Sequence, residues 1–148
     1  MDLSVLEKLA LPKGEWCLVS GKCLELRGLR KSEDWDILVS RSFFEDLIQI
    51  YLYEYYLLRF APLVSFRWNH LKTSYYKTPI LVFDNEKIEI FKDLPFFEGQ
   101  EEEIINQAEL IDWLPCMEIS TLIRFKTLMG RQKDFRDIEL LQKIRNNA

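Results

Sequence analysis

The chain has 148 residues, enough for one domain with a substantial core, and its 48% hydrophobic and 30% charged content excludes a disordered protein. A net charge of −4 argues against a protein that coats nucleic acid generally, while leaving room for a local basic patch. Three cysteines without a CxxC spacing and a single histidine, His70, exclude a disulfide framework, a zinc site and a multi-histidine centre.

The leading residues carry Leu3, Val5, Leu6 and Leu9 at helical spacing, which predicts a short helix over residues 2–10, broken by Pro12-Lys13-Gly14. Trp16-Cys17-Leu18-Val19 reads as a buried strand, with Cys17 and Cys23 as buried thiols. Gly21 ends that strand, and Gly28 ends the helix that follows. Asp34 to Ser40 is the second strand. Ser42-Phe43-Phe44-Glu45 has the pattern of a capping box and opens a helix with Phe43, Phe44, Leu47, Ile48, Tyr51, Tyr55 and Leu58 on one face. Pro62 stops it.

A strand is expected near Leu63–Phe66, and then a polar, basic and aromatic connection from Arg67 to Lys77. Ile80–Phe83 and Ile88–Phe91 flank Asp84-Asn85-Glu86-Lys87 as a hairpin. Glu98–Gln107 is acidic and reads as helix or loop, and Glu109–Ile119, with Pro115 inside it, as a short strand segment. Ser120–Met129 is helical with Leu122, Ile123, Phe125 and Leu128 apolar and Gly130 as its stop. Asp134 can cap a last helix whose Phe135, Ile138, Leu140, Leu141 and Ile144 face inward. The expected class is α+β: a mixed sheet flanked by helices, one domain over residues 1–148, with a C-terminal helical segment from about 118 packed against the sheet. No basic-then-apolar leader opens the sequence and no apolar run reaches about 18 residues, so a cytoplasmic protein without membrane partners is expected.

Two constellations carry chemistry. In a strand, side chains at i and i+2 share a face, so Asp34 and Asp36 point together while Trp35 and Ile37 face the other way. Paired carboxylates repel, and a hard divalent cation is the usual reason to tolerate them. Glu89, a charge between Ile88 and Ile90, is the candidate third carboxylate of a two-metal site; the alternative is that it alternates outward onto solvent. The second constellation runs from Leu122 to Ile138, where Lys126, Arg131 and Lys133 cluster around a helix–turn–helix junction suited to phosphate. Asp134 and Asp137 either orient those cations or simply cap the last helix.

Together the segments Ser20-Gly21, Arg27-Gly28-Leu29-Arg30, Ser32-Glu33-Asp34-Trp35-Asp36, Ile37-Leu38-Val39 and Leu122–Ile138 resemble the small, stand-alone bacterial members of the nucleotidyltransferase superfamily that shares the DNA polymerase β-like fold. The resemblance covers residues 15–40 and 118–144. It implies that Asp34 and Asp36 bind Mg²⁺ and the triphosphate of a nucleotide, and that Glu89 helps deprotonate an acceptor hydroxyl. It further implies that Ser20, Gly21 and Lys22 approach the β- and γ-phosphates, and that Lys126, Arg131 and Lys133 line the nucleotide side. Arg30 is a further nucleotide-binding candidate, with an ion pair to Glu33 or Asp34 as its alternative. The turn is Ser-Gly-Lys where the family commonly has Gly-Gly or Gly-Ser, and the third acid is glutamate where aspartate is commoner.

The expected activity is Mg²⁺-dependent transfer of a nucleoside monophosphate from a nucleoside triphosphate, such as ATP, to a hydroxyl of a small molecule, RNA or protein. A toxin–antitoxin or phage-defence role suits a chain of this kind. Two other readings stand beside it. One is a non-catalytic nucleotide- or partner-binding relative. The other is RNA contact through Trp68, Tyr75 and Tyr76 interleaved with Arg67, Lys72 and Lys77.

Overall fold

Apolar strands with both faces covered belong at the centre of a sheet, and the sequence places two of them early. The computed structural model of the chain describes residues 4–58, 65–70, 77–83 and 87–148. Its strands are β1 (Trp16–Val19), β2 (Trp35–Val39), β3 (Ser65–His70), β4 (Lys77–Phe83), β5 (Ile88–Phe91), β6 (Glu109–Ile111) and β7 (Leu114–Cys116). They form one mixed sheet in the order β3-β4-β5-β2-β1-β7-β6. β1 runs antiparallel to β2, whereas β2 and β5 are parallel, as are β1 and β7. Cys17, Leu18, Ile37 and Leu38 are fully buried, so the middle of the sheet is the middle of the core.

The helices are α1 (Ser4–Leu9), α2 (Gly21–Leu26), α3 (Arg41–Leu58), α4 (Glu101–Asn106), α5 (Ile119–Met129) and α6 (Gln132–Asn146). This is the expected mixed α+β architecture. Among the described residues no helix is long and apolar enough to cross a membrane.

Several local expectations are corrected. The cap of α3 is Ser40, not Ser42: the Phe43 amide donates to Ser40 Oγ at 3.2 Å, and the helix begins one residue before Ser42. Residues 67–70 are strand rather than connection, because β3 pairs with β4 from Ser65↔Val82 to His70↔Lys77. The tip of the β4–β5 hairpin and residues 71–76, including Tyr75 and Tyr76, lie outside the described residues, as does Pro62. Glu109–Ile119 holds two strands, joined at Ile111↔Leu114 by a two-residue turn. Phe135, expected inside, is 56% exposed, and the apolar Leu128 is 43% exposed; α5 and α6 bury narrower stripes centred on Leu122, Phe125 and Leu141.

Both ends of α5 are capped by local residues. Glu118 accepts from the Thr121 amide at the start of α5, and Gly130 closes it in the left-handed region at φ 63°. Arg27, at the end of α2, donates to Cys23 O (2.9 Å), Met117 O (3.0 Å) and Glu109 (2.6 Å), tying that helix to the β6–β7 side of the sheet.

Candidate carboxylate site at the sheet centre

Parallel pairing of β2 with β5 sets Asp36 opposite Glu89, with Ile37 opposite Ile90 and Trp35 opposite Ile88. Ile88 and Ile90 are fully buried and Glu89 is half-buried, so the alternation turns Glu89 to the same face as Asp36. Asp34 stands exposed just ahead of β2. The antiparallel register with β1 sets Val19 opposite Asp36, which delivers the next residue, Ser20, to the same place.

Electrostatics register the crowding. Burial, then the charges of Glu89 and Asp34, push the Asp36 carboxyl up to about 6, against partial relief from a Ser20 hydrogen bond and the Lys133 charge. Arg131 feels Asp36 as well. The fold therefore brings together Ser20, Asp34, Asp36, Glu89, Arg131 and Lys133, drawn from four separate stretches of chain. The donor set is oxygen only, with an excess of negative charge, which suits a hard cation such as Mg²⁺. In the present side-chain arrangement, no three carboxylate, histidine or cysteine side chains among the described residues enclose an ion.

Ser20 itself sits at φ 61°, ψ −130°, a conformation glycine adopts more easily. Gly21 follows it at an ordinary φ but in a tight space. A Cβ there would overlap Ser32 Oγ and stand 3.0 Å from Ser32 Cβ. The glycine thus makes room for Ser32, a contact with no signature in the local sequence.

The remaining cations are engaged elsewhere. Lys22 is buried; its ammonium donates to Glu25 at 2.7 Å and to the Ser32 carbonyl, and lies 4.6 Å from the centre of the Trp35 ring. Arg30 forms a two-point pair with Asp137, Nε–Oδ1 2.6 Å and Nη2–Oδ2 2.8 Å, rather than meeting Glu33 or Asp34. Lys126 is 1% exposed and bridges Asp137 at 2.6 Å and Asp134 at 3.4 Å. Asp134 in turn holds Arg131 through Nε at 2.7 Å, Nη2 at 3.0 Å and the backbone amide at 3.1 Å.

Arg30, Asp137, Lys126, Asp134 and Arg131 therefore form one chain of alternating charge. Burial opposes ionisation of both aspartates, but hydrogen bonds from Arg131 to Asp134, and from Arg30 and Lys126 to Asp137, outweigh it. Both carboxyls lie below the ordinary range. Arg131 and Lys133 bring positive charge toward the carboxylates, whereas Lys126 and Arg30 act inside the framework that holds Arg131.

No protein-family model matches the sequence, and no curated protein matches it.

Proposed function

We propose that the chain is a nucleotidyltransferase of the DNA polymerase β-like fold, moving a nucleoside monophosphate from a nucleoside triphosphate to an acceptor hydroxyl with release of pyrophosphate. The observation that supports this most is the Asp36–Glu89 register, with Asp34 beside it and Ser20 at its edge. Asp34, Asp36 and Glu89 would hold Mg²⁺, which supplies charge neutralisation and activates the attacking oxygen. The chain's own residues do the positioning. Ser20 orients Asp36, Glu89 takes the acceptor proton, and Arg131 and Lys133 face the negative charge of the nucleotide. The acceptor is a small molecule, RNA or protein hydroxyl.

A second reading is favoured by the turn. Ser32 fills the space beside Gly21, and Lys22 is spent on Glu25, the Ser32 carbonyl and Trp35. A nucleotide- or partner-binding module without transfer activity fits those contacts. The decisive experiment incubates the protein with each labelled nucleoside triphosphate, Mg²⁺ and whole-cell RNA or protein. Label transfer that disappears in Asp36→Asn supports the transferase. Equal nucleotide binding by wild type and Asp36→Asn, with no transfer to any acceptor, selects the binding module.

A further inference from the structure

The tip of the β6–β7 hairpin carries a feature that the carboxylate site does not use. Its two turn residues, Asp112 (φ 47°) and Trp113 (φ 70°), are both left-handed. Turns of this kind favour Asn-Gly or Asp-Gly, and a bulky aromatic in the second position is held against its backbone preference. Among the described residues nothing packs over the ring to compensate: Trp113 is 93% exposed. Leu110, on β6, is 68% exposed.

The hairpin is also a sheet edge: among the described residues no strand lies beyond β6. The register decides which backbone groups are open. Ile111↔Leu114 close the turn, so the next pair, Leu110↔Pro115, is the one that exchanges no hydrogen bonds within the hairpin. Pro115, which lacks an N–H, fits that position, and Leu110 directs its N–H and C=O outward from the sheet. The edge is held firmly, because Arg27 grips Glu109 at 2.6 Å.

Charge defines what such an edge attracts. Every charged residue between Lys92 and Arg124 is acidic; with Glu109 paired to Arg27, the exposed Asp112 on the hairpin and Glu102 and Glu103 on the preceding helix carry the negative charge of this face. Negative charge disfavours nucleic acid here and favours a cationic partner. We infer that the β6 edge, Leu110 and Trp113 form a docking site for an extended, basic segment of another protein, which adds a strand to the sheet and places an apolar side chain against Trp113.

The test uses the full chain and a short peptide alternating lysine and isoleucine, with a glutamate–isoleucine peptide as control, followed by calorimetry and by hydrogen exchange at the Leu110 amide. Binding of the basic peptide with protection of that amide is expected, weakened at least about tenfold by Trp113→Ala and by Leu110→Pro. Leu110→Pro removes an N–H that the hairpin itself does not use, and unchanged thermal melting verifies that both variants fold. Equal binding by the variants, or equal binding of the acidic peptide, overturns the proposal. Self-association of the wild type that Leu110→Pro abolishes also overturns it, by assigning the edge to a second copy of the chain.

Discussion

Asp36 is the residue on which charge in this molecule converges. Its carboxyl is held near 6 because it is buried beside Glu89 and Asp34. The folded protein therefore binds this proton more tightly than the unfolded chain does, where the pKa lies near 4. Stability falls as pH rises from about 4 to about 6, and above that the full cost, roughly 1–3 kcal/mol, is present. Asp36→Asn removes the repulsion. It is expected to raise the melting temperature at pH 7.5 and to lose that advantage at pH 4, while abolishing transfer. Affinity of the wild type for Mg²⁺ should weaken as pH falls below about 6, since proton and cation compete for the same carboxyl, and raising the Mg²⁺ concentration should offset the loss. A melt series at both pH values for the two proteins checks the sign.

At the scale of elements, the turn between β1 and α2 is built by a partner far enough away to escape local pattern. Gly21→Ala would drive a methyl into Ser32, at an expected cost of about 1–3 kcal/mol, read from urea unfolding. Adding Ser32→Gly should restore most of the loss, an outcome that a purely conformational role for Gly21 would not give.

The same turn shows what sequence could and could not convey. Alternation in Asp34-Trp35-Asp36-Ile37 and in Ile88-Glu89-Ile90 exposes which side chains share a face, because strand geometry is local. That the two strands are neighbours, in the register that sets Asp36 beside Glu89, is a long-range fact. Lys22 reads as a cation near phosphate because a sequence displays its charge but not its burial, whereas the pairing of Asp134 and Asp137 with Lys126 and Arg131 is one of the two alternatives the local pattern offers. Ser40 was hidden as a helix cap behind the better-looking Ser42-Phe43-Phe44-Glu45. Trp113 lies in a turn whose aromatic content gave no periodicity to follow.

Across the whole molecule, five charged side chains connect the segment after α2 with both C-terminal helices. Lys126 stands in the middle, 1% exposed, between two aspartates. Replacing it by methionine would keep the volume and leave Asp134 and Asp137 buried with one cation fewer, a loss expected at roughly 3–5 kcal/mol. Denaturant titration measures it, and Leu128→Ala on the exposed side of α5 should change stability by less than about 0.5 kcal/mol as a comparison. The pH dependence of the network runs opposite to that of Asp36. Both aspartates have depressed pKa values, so their contribution is present above the ordinary carboxyl range near 4 and is lost as pH falls through their lower folded values. Acid unfolding of the wild type should therefore be steeper than that of the Lys126→Met variant.

Ser20 carries a conflict that laboratory evolution would expose. Its backbone sits where glycine is at ease, yet its hydroxyl serves Asp36. Randomise that codon and sort the library for resistance to protease, and glycine should rise, since relief of the strained backbone is worth about 1 kcal/mol or more. Sort the same library for nucleotide transfer, and serine should return. Divergent winners from one pool would reveal a position where durability and work select different amino acids.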